Sequence, residues 1–263
     1  MRWLVRFLVF LLILPLAYFA AFPQIVHCQL LKYSSDFQQI AGSIWVAETT
    51  PAHQRVYLVF EINQARERLA TLWQSSPKSR ATVIFCQTPE QYEHYCEDGE
   101  GAGCSLGTPW GDSWVIINPY GRNPDVLAHE LCHDELFTRL GWLKTQRQIP
   151  QWFNEGLALM IDQRFTSATD SLGRYDEFHD HWLEQSHGQQ IVLKLDELKS
   201  MPDFFSGDEN RVMLAYMTAG REVSRWLTLV GRQGLVKLVE AVQKGDDFET
   251  VYQRLENEAK TGG

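Results

Sequence analysis

The chain has 263 residues, of which 44% are hydrophobic and 22% charged, with 18 Gly and 10 Pro. It is long enough to bury a sizeable core, and its composition excludes a mini-protein held only by disulfides, a collagenous chain and wholesale disorder. A formal net charge of −9 at pH 7 argues against nucleic acid as a partner, because a phosphate backbone is gripped chiefly by Lys and Arg.

The first predicted element is an uncharged apolar run from Phe7 to Phe22, preceded by Arg2 and Arg6 and followed by no positive side chain before Lys32. Its length and flanking charges predict a signal anchor, a transmembrane segment within residues 1–25. The N-terminus would lie in the cytoplasm and everything after it on the extracytoplasmic (periplasmic or extracellular) side of the membrane. A cleaved signal peptide with secretion is the alternative, although Ala17, Ala20 and Ala21 offer no small-x-small pair. Residues 26–263 carry no repeat, low-complexity tract or long polar linker and read as one unit. Within it, residues 26–80 form an N-terminal helical entry region and residues 81–263 the core.

Apolar positions Val56, Leu58, Val59, Ile62, Leu69 and Leu72 predict an amphipathic helix over 52–74. A strand follows at Ala81–Phe85, a short helix opens at Thr88-Pro89-Glu90, and Trp114–Ile117 is a second strand ended by Asn118-Pro119. Beyond that the pattern is helical, with helices expected near 124–139, 151–162, 175–186, 208–229, 233–243 and 247–258. Asn123-Pro124 supplies a cap and an N1 proline, Ser206 or Asp208 caps a later start, and Gly231 or Gly234 divides the last long pair. A small mixed sheet followed by a mainly helical half is an α+β plan.

Five cysteines, Cys28, Cys86, Cys96, Cys104 and Cys132, suit an oxidising compartment. The pair nearest to bridging is Cys96 with Cys104, across the Gly-rich stretch 97–103; unpaired packing as small hydrophobes is the other reading. Cys132 is read as packing.

Residues 129–133 are His-Glu-Leu-Cys-His, the HExxH pattern, in a stretch whose apolar residues fit a helix. Helical geometry of about 100° per residue sets His129 and His133 on one face, where two imidazoles on adjacent turns can bind one Zn2+. Glu130, one residue on, can reach a water held by that metal and act as general base. Downstream stands Pro150-Gln151-Trp152-Phe153-Asn154-Glu155-Gly156-Leu157-Ala158. A reversal near Gly141 and a second helix started by Pro150 can bring Glu155 opposite the imidazoles, and Gly156 lets two backbones approach.

HExxH followed by P-x-W-x-x-E-G-x-A resembles the gluzincin zinc metallopeptidases, specifically the peptidase MA-like group, in which the third ligand is a glutamate on the next helix. The resemblance covers residues of about 80 to 255 and is strongest in the two motifs. It implies a zincin-like fold, Zn2+ held by His129, His133 and Glu155, and a peptide or protein substrate. It also implies that Tyr216, in Ala215-Tyr216-Met217-Thr218-Ala219-Gly220, donates a hydrogen bond to the oxyanion of the tetrahedral intermediate. Endopeptidase activity is the default, since the Gly-x-Met-Glu-Asn signature of related aminopeptidases is missing. An extended substrate would lie along a strand edge, either Ser113–Ile117 or the stretch from Cys104 to Trp110. Asp134 and Asp162 are candidate carboxylate partners for the ligand imidazoles. His179, His181 and His187 read as a solvated polar face more readily than as a second metal site. The alternative function is a zinc-bearing binding or scaffolding module without proteolysis.

Overall fold

The computed structural model describes residues 18–96 and 101–262, together with Trp3 and Arg6. Five short strands, β1 (Phe37–Ala41), β2 (Ile44–Ala47), β3 (Thr82–Phe85), β4 (Gly103–Gly107) and β5 (Ser113–Ile117), form one mixed sheet in the order β1-β2-β3-β5-β4. The β1–β2 and β4–β5 pairs are antiparallel, and β2–β3 and β3–β5 are parallel, with Thr82 opposite Trp114 and Phe85 opposite Ile117.

Strands β3 and β5 are apolar on both sides because both faces of the sheet are covered. Val83, Phe85, Val115 and Ile117 point into the larger core, against α2 (Ala52–Trp73) and α4 (Pro124–Leu140). Alternate residues Ile84, Trp114 and Ile116 point the other way, into a smaller core closed by α1 (Pro23–Leu30) and α3 (Pro89–Tyr95). The remaining helices, α5 (Trp142–Gln148), α6 (Gln151–Ala158), α7 (Ser171–Gln185), α8 (Met201–Phe204), α9 (Glu209–Lys244) and α10 (Phe248–Gly262), extend the larger core. The chain thus mixes α and β, with every strand preceding α4.

Local chemistry sets the boundaries. The Asn123 side chain accepts from the amides of Asp125 and Val126 at 2.8 and 2.9 Å, with Pro124 in the first turn of α4. Asp208, not Ser206, caps α9 by accepting from the Arg211 amide. Within α9 the helical angles fail at Gly231 (φ 67°, ψ 178°), which separates the two helices expected there. The disulfide joins Cys96 to Cys104, and Cys28, Cys86 and Cys132 are buried thiols.

Four expectations are corrected. The transmembrane anchor within residues 1–25, and with it the membrane partner and the extracytoplasmic location, is not borne out: among the described residues no helix is long and apolar enough to cross a membrane. Residues 7–17 of the apolar run lie outside the described residues. The stretch 26–80 is not simply helical, since β1 and β2 lie inside it and join the sheet through β3. Strand β5 is paired on both sides and presents no free edge; β4 is the edge strand on that side. The helix expected over 151–162 stops at Ala158, after which Arg174 takes the Leu159 and Asp162 carbonyls.

Candidate metal centre

Helix α4 carries the HExxH residues inward: His129, Glu130 and His133 are 4%, 8% and 8% exposed. After Leu140 the chain turns at Gly141, passes through α5 and re-enters at Pro150, which caps α6. Helix α6 then points the buried Glu155 carboxylate at the imidazoles. His129 Nε2 is 3.2 Å from Glu155 Oε2, and His133 Nε2 is 3.7 Å from Glu155 Oε1. Ligand atoms from these three side chains lie within 4.8 Å of one another, close enough to hold one metal ion. Two imidazole nitrogens and a carboxylate oxygen suit a divalent metal.

The other ring nitrogens face away from Glu155, His133 Nδ1 in a hydrogen bond and His129 Nδ1 beside a carboxylate without one. His133 Nδ1 donates to Asn154 Oδ1 at 3.0 Å, and His129 Nδ1 lies 3.2 Å from Asp162 Oδ2. Such contacts fix tautomer and ring orientation. Asp162 is itself gripped by the Arg164 guanidinium, with Nε 2.9 Å from Oδ2 and 3.0 Å from Oδ1. Gln151 Nε2 donates to Glu155 Oε1 at 2.7 Å and aims that carboxylate.

The electrostatics follow from burial and pairing. Burial pulls the His129 imidazole down, but Asp162 and Glu155 outweigh it and carry its pKa up to about 10. Burial alone would raise Glu155, yet His133 and His129 hold it below the usual carboxylate range. Burial raises Glu130, partly offset by both histidines. The Tyr216 phenol is pushed well up by burial and then by the charges of Glu155 and Glu130, so it shares their environment; its ring rests on Phe204 and Phe205.

Close packing shapes the surroundings. A Cβ on Gly156 would stand 2.5 Å from Ala219 O and 2.5 Å from Val223 Cγ2, so the backbone that Gly156 admits is that of α9, not that of α4. Strand β4 runs over the base: a Cβ on Gly103 would stand 3.0 Å from Glu130 Cγ, and Ser105 Oγ donates to the Glu130 carbonyl at 3.3 Å.

The structure brings together His129, Glu130, His133 and Glu155, with Tyr216 in their field and Asp162 behind His129. Asp134 does not join them: it accepts from Ser79 Oγ and the Ala81 amide and fastens the 77–81 segment. His179 is stacked between Tyr175 and Trp182, and His181 Nε2 meets the Phe165 carbonyl at 3.0 Å. Cys132 is buried in the larger core. Sequence reasoning missed Gln151, Asn154 and Arg164. Gln151 was legible in principle, because a residue four positions before Glu155 shares its helical face; nothing in the sequence marks Asn154 or Arg164. No protein-family model matches the chain, and no curated protein matches it significantly.

Proposed function

We propose that the chain is a zinc-dependent peptidase of the gluzincin type, with a zincin-like fold, His129, His133 and Glu155 as Zn2+ ligands and Glu130 as general base. One observation carries this reading: two imidazole Nε2 atoms and a carboxylate converge in the protein interior, with a second buried carboxylate, Glu130, next to His129 on the same helix. Zinc bound there supplies Lewis acidity, which makes a water nucleophilic near neutral pH and polarises a peptide carbonyl. Glu130 takes the proton from the attacking water and passes it to the leaving amine. Burial raises its pKa, which makes it a better base than an exposed carboxylate. Asp162 and Asn154 hold the imidazoles in the ligating tautomer, and Tyr216 donates its hydroxyl to the developing oxyanion. An extended peptide pairs with the open edge of β4, which crosses directly over Glu130 and offers main-chain groups without reading sequence.

A closed structural zinc site would need a fourth protein ligand and no base, so the position of Glu130 favours catalysis over a binding or scaffolding module. Casein hydrolysis that a chelator stops and zinc restores is the expected result. Glu130→Gln should lower it by about 10³-fold while zinc content stays constant. Zinc retained by a wild-type chain that cleaves neither casein nor short peptides would move the weight to the binding module.

A further inference from the structure

A cavity of about 310 Å³ lies between α2, the turn after α6, the start of α7 and the second half of α9. Three arginines line it, Arg68, Arg174 and Arg232. Their states differ in a telling way. Arg68 is committed, to Asp125 and to the Ile161 carbonyl. Arg174 is 3% exposed, yet every hydrogen bond of its guanidinium comes from Nη1 and goes to a neutral oxygen: Leu159 O at 2.7 Å, Asp162 O at 2.9 Å and Thr166 Oγ1 at 2.6 Å. Its Nε is buried without a partner, and no carboxylate among the described residues is within ion-pairing distance of it. Arg232 is half-buried and makes neither a hydrogen bond nor an ion pair among the described residues. The carboxylate in the lining is Glu67, an exposed side chain.

A guanidinium out of water without a counter-charge is costly, and it is normally offset by an anion close by. Here Asp162, Glu177 and Asp125 act on Arg174 only from a distance, with no hydrogen bond or ion pair to it, while a cavity large enough for a small molecule adjoins it and a second unpaired guanidinium lines the same space. The planar fork of arginine matches phosphate and carboxylate oxygens. We propose that this cavity binds a small anion bearing phosphate or carboxylate oxygens, held by Arg174 and Arg232. The cavity is separate from the metal centre but linked to it, because the Asp162 carbonyl accepts from Arg174 while its carboxylate faces His129.

The test is calorimetric titration of the full chain with inorganic phosphate and, separately, citrate, with sodium chloride at matched ionic strength as control. The expected result is a dissociation constant below about 1 mM for at least one of the two, weakened about tenfold or more by Arg232→Gln. That variant should melt where the wild type does without ligand, since Arg232 has no partner to lose. Arg174→Gln should abolish binding where it folds, and His133→Ala should leave binding intact, which separates this cavity from the metal centre. Phosphate favoured over citrate would name a phosphate-bearing ligand, and the reverse a carboxylate-bearing one. Heat matched by chloride, or affinity unchanged in Arg232→Gln, would overturn the proposal.

Discussion

Each imidazole of the HExxH pair can meet Glu155 through Nε2 because its Nδ1 has somewhere else to go. Asn154 is hydrogen-bonded to one ring, and the Asp162 carboxylate stands 3.2 Å from the other. These contacts carry a prediction: Asn154→Ala and Asp162→Asn should each weaken zinc binding by about 10–100-fold without abolishing it, measured by competition with a chromophoric chelator. Replacing a ligand should do more. His133→Ala and Glu155→Gln leave two donors, and neither variant should retain zinc through dialysis. If Asp162→Asn binds zinc as tightly as the wild type, the orienting role assigned to Asp162 is wrong. The pairing of His129 with His133 was legible because helical periodicity puts i and i+4 on one face, whereas Glu155 was reached through the resemblance of its flanking motif. The supports were not, since Asp162 and Arg164 reach the site from a turn whose course depends on where α6 stops.

At the scale of elements, the centre depends on how closely α6 packs on α9. A Cβ at Gly156 would press on a backbone oxygen, Ala219 O, which cannot rotate away. Gly156→Ala should therefore destabilise the fold by about 1–3 kcal/mol, seen as a drop in urea midpoint, with zinc still bound under native conditions. An unchanged midpoint would mean that α6 and α9 sit further apart than described. Helix α10 is fastened to α9 by Arg225, which bridges Glu222 and Glu256, and by the Tyr252 hydroxyl donating to Glu222. The Arg225 guanidinium holds the Glu256 carboxyl down at about 2, from an ordinary value of 4.5. A depressed carboxylate pKa adds stability that is full above the unfolded value and is lost as pH falls toward the folded one. Stability should thus decline between pH 4.5 and about 2, and Glu256→Gln should flatten that decline in urea melts taken across the window. An identical acid limb in the variant would remove Glu256 from the account.

For the whole molecule, the order of sheet first and helices after could be read from the chain, as could β3, β5 and the long helices, whose apolar periodicity is strong. Strands β1, β2 and β4 could not. FQQIA carries two glutamines and GCSLG is bounded by glycines, so each becomes a strand through pairing with a neighbour, while IWVA has strand-forming residues in a run of four too short to stand out. Gly103, a weak strand former, suits β4 because a Cβ there would press tightly on Glu130 Cγ, Val126 Cγ1 and Ile116 O, at 3.0 to 3.2 Å. The N-terminal apolar run invited a membrane reading from its length and flanking charges, and no helix among the described residues supports it. Metal binding should also be felt globally, since a ligand that binds only the folded state stabilises it by mass action, by about 4 kcal/mol at a thousandfold excess over its dissociation constant. Chelation should accordingly lower the melting temperature of the wild type and leave that of Glu155→Gln unmoved. The measurement closest to the central claim is peptide hydrolysis by chelator-stripped chain as zinc is returned stepwise, run in parallel on Glu130→Gln. Activity should rise in proportion to bound zinc and level off at about one ion per chain, while Glu130→Gln takes up the same zinc and hydrolyses nothing measurable. Hydrolysis without metal, or a fully loaded wild type that cleaves no peptide, would contradict it.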